Sequence, residues 1–404
     1  MGRPFTEGLL QALLLGAALI SAVGPPALAQ SPRDGSRPSL DEANIKPAID
    51  GIFDAFERSL VGLGDKHGLA QEIEFYEALI RDPRFARNVG NVVVEFGGAA
   101  RQDVIDRYVN GEPVAYRELR QVWTDTVGWT PTVWSVGYAN FFAQVRDVNR
   151  TLPRQQRIRV WLGEPPIVWE RIQTRDELRE YMRARETHAA GLLVQHILEQ
   201  KKKALVIYGS QHLRRFSAEE TAKKELLWTD WTATAPETAA PFALMRTSGS
   251  LVGLVEAKHS GAFFLVQVYD GFDDEACTTR FEQRMQEWPL PALAVPIRAT
   301  TLESDLRRCP FTLNLTYPPV MPQALQDLLR AEDNDVFLRG DAVLFLAPAA
   351  NLTESPIFPD LYLDEEYRQE ISRQMEIKSG RPLPPGWGRN VPITPVPLPR
   401  YRIR

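Results

Sequence analysis

Apolar residues follow two alternating rhythms along this chain. Four short runs, at 60–63, 91–96, 158–162 and 205–208, are almost continuously apolar, as strands buried on both faces of a parallel sheet are. Between them the apolar positions recur at helical spacing. The segment 45–56 sets Ile45, Ala48, Ile49, Ile52 and Phe53 on one face, and 70–80 does the same with Ile73, Tyr76, Ala78 and Leu79. Further helical patterns cover 102–108, 116–126 and 138–149, and a long one runs from 174 to 200. Strands separated by helices predict an α/β fold, with a mainly parallel central sheet flanked by helices on both faces. Past Phe216 the rhythm weakens. There 262–268 and 342–346 read as further strands, and 229–241, rich in Thr, Ala and Pro, reads as a loop.

The ends of the chain follow other rules. A weakly basic start at Arg3, an apolar stretch from Leu9 to Val23 and the small-x-small sequence Ala27-Leu28-Ala29 read as a secretory signal over 1–29. The mature terminus is then expected at Gln30. Residues 30–40 read as a linker, and the α/β domain is expected over 41–377. From 378 to 404 the sequence is Pro-rich, including Arg381-Pro382-Leu383-Pro384-Pro385, which predicts an extended or disordered tail. No later segment approaches the length of a membrane span. The chain is therefore expected in the periplasm or secreted, with no span once the signal is cleaved. A net charge of -5 over 404 residues gives no reason to expect a nucleic-acid partner. The two cysteines, Cys277 and Cys309, stand in no C-x-x-C spacing. An oxidising compartment permits a disulfide between them, and two separate thiols are the alternative.

Two of the five histidines share a context. Gly64-Asp65-Lys66-His67 follows one strand-forming run, and Gly209-Ser210-Gln211-His212 follows another. Glycine lets a backbone turn sharply as it leaves a strand, and the carboxyl edge of an open parallel sheet is where sites are built. The second run ends in Glu95 and the third in Glu164. Parallel strands would gather Asp65, His67, Glu95, Glu164 and His212 on one edge. Such a set suits a divalent metal held by His67, Glu95 and His212. It equally suits a metal-free site in which a carboxylate orients a His that activates water. The plainer readings are that each His caps a helix or holds a loop, that Asp65 is an N-cap, that Glu95 anchors the following Gly97-Gly98 turn or Arg101, and that Glu164 is a solvated loop residue. Arg101 is placed to stabilise charge on a substrate or to pair with Glu95. His188, in the long helix, is a further catalytic candidate. His196 reads as packing and His259 as a loop residue. Trp123, Trp129, Trp134 and Trp161 line a pocket or fill the core. The chain carries no G-x-S-x-G elbow, Walker A sequence, dinucleotide fingerprint or H-E-x-x-H.

Taken together, these motifs resemble those of the broad superfamily of erythromycin esterases, Tiki/TraB proteins and ChaN-like haem-binding proteins. Gly64-Asp65-Lys66-His67 looks like the first motif, with Asp65 where the family often carries Glu. Val93-Val94-Glu95 looks like the acidic strand end. Residues 185–190 resemble the Arg-containing helix before the second motif, and Gly209-Ser210-Gln211-His212-Leu213 looks like that motif. The resemblance covers about residues 49–216. In the esterase branch it implies His67 as the base that activates water against a lactone. In the Tiki branch it implies a metal-dependent peptidase, and in the ChaN branch a protein that binds iron or haem without catalysis. The expectation is a hydrolase of ester, lactone or amide bonds acting on a small molecule or peptide. His67 would be general base or metal ligand, His212 a second ligand or acid, and Glu95 the orienting carboxylate. The cofactor is left open, with a divalent metal as candidate; haem or iron binding at the same edge is the alternative. The side chains of His67, Glu95 and His212 are expected within about 10 Å of one another, from the spacing of neighbouring strands.

Overall fold

The computed structural model describes residues 42–128, 135–234, 250–309 and 320–383. The expected signal, the linker, Trp129, Trp134 and the tail beyond Leu383 lie outside these residues. Eight strands form one sheet: β1 (Asn44–Pro47), β2 (Leu60–Asp65), β3 (Asn91–Gly98), β4 (Arg159–Glu164), β5 (Ala204–Gly209), β6 (Phe263–Val268), β7 (Ala292–Val295) and β8 (Ala342–Phe345). Their order across the sheet is β1-β7-β8-β6-β2-β5-β3-β4. From β8 to β4 every neighbouring pair is parallel, while β7 runs antiparallel to both β8 and β1.

Successive strand residues point to opposite faces, and here both faces are buried. Val61, Leu63, Val92, Val94, Leu205 and Ile207 face one core with the helices Ala48–Ala55, Ala70–Arg81, Gln102–Val109 and Val136–Arg150. Leu60, Val93, Trp161, Val206 and Leu265 face the other, with the helices Arg175–Leu193 and Leu251–Glu256. The alternation in β3 and β5 thus divides an unbroken apolar run between two layers. A third cluster packs Phe281, Met285, Leu302 and Leu306 against Ala294, Val343 and Phe345. Within it Cys277 and Cys309 form a disulfide with a Cα–Cα distance of 5.5 Å, so the paired alternative is the one the fold adopts.

Several elements depart from the sequence pattern. Residues 44–47 are strand, not helix, and the helix begins at Ala48. Pro47 gives the reason, because it forces the residue before it into extended backbone. The long helix is regular over Arg175–Leu193 and then widens into a π-turn at Val194–Leu198. The expected loop over 229–241 is helical as far as Thr234, in the helix Ala218–Thr234, where Trp228 and Trp231 pack on Met321, Leu325 and Leu329. Strand β7 escaped the pattern because it is four residues long. The helix Glu365–Ser379 carries the folded chain through Lys378, and Leu383 beyond it is buried.

The free edge of β4 is closed by a side chain. Gln102 donates from Nε2 to the Val160 carbonyl at 2.8 Å and accepts from the Leu162 N–H at 2.9 Å. One side-chain amide thereby takes the place of a neighbouring strand. At the opposite edge β1 is short and ends in Pro47, which has no N–H to offer.

Candidate functional site

The register sets the site. Leu63, Ile207 and Val94 lie level across β2, β5 and β3. The residues that follow them, Gly64-Asp65, Tyr208-Gly209 and Glu95, therefore emerge together at the carboxyl edge, where the strand order changes direction. Period two then decides which layer each carboxylate meets. Asp65 continues the face of Val61 and Leu63, and Glu95 that of Val93.

On the first face Asp65 is buried and gathers three donors. Its Oδ2 accepts from the Tyr138 hydroxyl at 2.6 Å and lies 2.7 Å from His67 Nδ1, and its Oδ1 accepts from the Tyr76 hydroxyl at 3.1 Å. The carboxylate fixes the proton of His67 on Nδ1 and leaves the Nε2 lone pair free. Burial opposes a charge on His67, but the Asp65 hydrogen bond and the charges of Glu95 and Asp65 outweigh it, and its pKa is raised. The His67 backbone has φ of 38°, in the left-handed region that non-glycine residues rarely adopt. Such strain persists where the surroundings over-determine it. Here the Gly68 N–H that follows donates to the Tyr138 oxygen at 2.9 Å.

On the second face Glu95 is the hub of a buried ion network. Its Oε1 lies 2.7 Å from Arg185 Nη2 and 3.4 Å from His212 Nε2, and its Oε2 accepts from the Gly209 N–H at 2.5 Å. Arg185 also binds Glu164, from Nε at 2.8 Å. His212 places Nδ1 in a short contact with Glu186. Burial works against a charge on His212, yet Glu186 and Glu95 hold its pKa up at about 10, so it is an imidazolium at neutral pH. Burial likewise opposes the charge of Glu95, but the charge and hydrogen bond of His212, with His67 and the Arg185 guanidinium nearby, carry its pKa well below the ordinary value.

The glycines of the two motifs serve close packing, not turning, because both lie inside strands. A Cβ at Gly209 would stand 3.0 Å from His67 Nε2 and 3.2 Å from Glu95 Oε2. Both side chains thus close on the space that a side chain at 209 would need. A Cβ at Gly64 would stand 2.7 Å from Gln267 Oε1 and 2.8 Å from Ser210 Oγ. Gly-x-x-His is thus a strand end made thin enough for a second strand's chemistry to reach across it.

The structure brings His67, Asp65, Glu95 and His212 together, and Glu164 with them. Glu164 is no solvated loop residue: it is 1% exposed and accepts from the Val127 N–H at 3.0 Å. Asp65 is not an N-cap, since the following helix is preceded by Leu69. Arg101 does not meet Glu95. It pairs with Asp125 at 2.6 Å, and the guanidinium beside Glu95 belongs to Arg185. His188 lies in a separate cleft of about 350 Å³ at the β4 edge, with Gln102, Trp161 and His196. Trp161 stacks on His196, and Trp123 is core. The donors do not fit the metal set His67, Glu95 and His212. Both His212 nitrogens face carboxylates as an imidazolium, which has no lone pair to give, and Glu95 is spent on Arg185, His212 and the Gly209 N–H. Among the described residues no group of three or more His, Cys, Asp or Glu side chains is arranged to hold a metal ion.

Arg185 and Glu186 stood only within the resembling stretch 185–190, with no role assigned to either, and Glu72, Tyr76 and Tyr138 were not singled out by the motifs. A signal for the first two was in the sequence. In the helix Arg175–Leu193 the buried positions are Leu178, Met182, Arg185, Glu186, Ala189, Ala190 and Leu193, so two charges sit in the apolar stripe. Burying a charge is costly unless it is paired, and paired charges at core positions mark a network.

No family model matches the chain, and no curated protein matches it either. Among solved structures it is similar to a Bacillus cereus protein at 12% identity and a TM-score of 0.44, over 74% of this chain and 90% of that one. It is also similar to the type III effector HopBA1 at 11% identity and a TM-score of 0.33, over 59% and 90%. ChaN of Campylobacter jejuni, described for its cofacial haem binding, matches at 14% identity and a TM-score of 0.31, over 56% and 87%. At these scores the likenesses assign neither a family nor an activity. Among the described residues no helix is long and apolar enough to cross a membrane.

Proposed function

We propose that this chain is an exported hydrolase of ester, lactone or amide bonds, working without a metal, with His67 as its general base. One observation carries the reading. His67 Nδ1 is tied to a buried carboxylate, Nε2 is free, and the side chain is 26% exposed at the sheet edge. Nε2 takes a proton from water as the oxygen attacks the substrate carbonyl carbon. Asp65 holds the ring in place and stabilises the imidazolium that forms. The His212 imidazolium and Arg185, paired among Glu95, Glu164 and Glu186, form a fixed charged wall beside His67 that holds the site's geometry. Export is supported by the leader-like start and by the Cys277–Cys309 disulfide, which persists in oxidising compartments.

The test is a screen of model esters, lactones and peptides with wild-type protein and His67→Ala. Turnover present in the first and lost in the second supports the reading. A second reading rests on the same free nitrogen. An imidazole with Nδ1 held by a carboxylate is also how a protein presents a nitrogen ligand to iron, and His67 would be that ligand for haem. A Soret band on adding haem that His67→Ala abolishes, with no turnover of any substrate class, replaces the hydrolase by a binding protein.

A further inference from the structure

We propose that Glu72 is kept as a neutral carboxylic acid and acts through Tyr76 and Asp65 as a positioning residue for His67. The assignment follows from counting protons. Glu72 and Tyr76 are both 0% exposed. The Tyr76 oxygen lies 2.5 Å from Glu72 Oε1 and 3.1 Å from Asp65 Oδ1. A phenol has one proton, so it cannot donate to two carboxylates. Were both ionised, one buried anionic oxygen would face the phenol's lone pairs. One of the two acids must therefore carry a proton.

The surrounding donors decide which. Asp65 Oδ2 already receives the Tyr138 hydroxyl and faces the Nδ1–H of His67. The Tyr138 proton is committed there, because the Tyr138 oxygen itself accepts the Gly68 N–H. Asp65 is thus the anion. Glu72 Oε2 accepts the Lys66 N–H at 3.0 Å, which leaves Oε1 as the protonated oxygen. The chain then runs one way: Glu72 donates to Tyr76, Tyr76 to Asp65 Oδ1, and His67 and Tyr138 to Asp65 Oδ2. Electrostatics agree, since burial and the charge of Asp65 both push the Glu72 pKa well above the carboxylate range. The nearby cation is Lys66, whose Nζ is engaged with Asp270 at 3.1 Å. With donors on both oxygens, the Asp65 carboxylate cannot rotate away from the imidazole.

The functional half of this proposal rests on His67 as the base, while the protonation half does not. The experiment uses the full mature chain with ¹⁵N-histidine labelling, and the five histidines make assignment tractable. Under the proposal Glu72→Gln, which keeps a neutral donor, leaves the pH at which His67 titrates unchanged and turnover within about twofold. Tyr76→Phe removes one donor from Asp65. It raises the pH at which His67 titrates and lowers turnover roughly tenfold, the scale of one hydrogen bond to a charged group. A fall of about one pH unit or more in the His67 titration of Glu72→Gln overturns the proposal, because it means that a negative charge has been removed. Should Glu72→Gln fail to fold, infrared spectroscopy decides. The carboxylic-acid carbonyl band must move to higher frequency in Tyr76→Phe, where Glu72 loses its acceptor, and an unmoved band sinks the idea. If the titrations hold while wild type turns over no substrate, the hydrolase reading falls and the Glu72 assignment stands.

Discussion

The same tetrapeptide pattern closes β2 and β5, and the two copies have become different things. The first leaves His67 with one carboxylate, one free nitrogen, a strained backbone and a quarter of its side chain in contact with solvent. The second encloses His212 between two carboxylates at 17% exposure, with no lone pair to spend. The difference comes from the layer behind each. The helix over 70–81 and the helix over 136–150 bring neutral phenols to Asp65, whereas the helix over 175–193 brings a guanidinium and a carboxylate to Glu95 and His212. A shared motif fixes where an imidazole stands, and its neighbours decide whether it reacts or is structural charge.

The strongest way to break this contrast is to remove each ring in turn. His67→Ala should lose about 10²- to 10⁴-fold in turnover, the scale of a general base, with only a small loss of stability, because Asp65 keeps the Tyr76 and Tyr138 hydroxyls. His212→Ala should instead destabilise the fold by about 3–5 kcal/mol, because it strips a partner from two buried carboxylates. Urea unfolding measures it, and equal stability losses in the two variants would erase the distinction. Gly209→Ala tests whether the motif glycine is there for space. The added carbon presses on His67 and Glu95 and should cost about 1–3 kcal/mol, with turnover falling at the same time; an unaltered rate would mean that the two side chains have room to move.

Acid and alkali sharpen the comparison with smaller effects. His67 works only when neutral, so activity should be lost as pH falls through its raised pKa. Asp65→Asn removes the hydrogen bond and the charge that raise it while burial remains. The acid limb of the rate profile should then move to lower pH, with a reduced maximum, and a limb that moves up contradicts the dyad. His212 behaves in the opposite sense. Its folded pKa of about 10 lies above the ordinary 6.5, so the stability it contributes is complete below pH 6.5 and fades as pH rises toward about 10. Denaturant midpoints across that window should fall in wild type and stay flatter in His212→Ala. The smallest expected effect is that of a chelator: prolonged EDTA treatment should leave turnover unchanged, and a loss restored by a divalent cation would return the metal to the site.

Much of this arrangement was legible in the sequence. The apolar runs of β2 to β5 gave the sheet direction, and the polar residue after each run gave Asp65, His67, Glu95, Glu164 and His212. Arg101 misled because proximity along the chain favours it, whereas the guanidinium at Glu95 comes from a residue ninety positions on. The phenols were hidden for another reason. Tyr76 and Tyr138 sit at core positions of amphipathic helices, where an aromatic ring needs no explanation, and only the fold shows that their hydroxyls converge on one carboxylate. Strand β1 was concealed by the helical spacing of Ile45 with Ala48, Ile49 and Ile52, although Pro47 between them argued for extended backbone.

At the rims of the sheet, Gln102 and Pro47 act on neither the core nor His67, yet they bear on what happens when many copies meet. An unpaired β-strand is a template, and a second molecule that lays its own strand along it starts a growing stack. Gln102 occupies that template with its own amide, and Pro47 removes a rung from the other. Both residues leave less open backbone for such a stack to start on, and replacing Gln102 by valine is expected to expose a rail on β4 and lower the concentration at which aggregation begins.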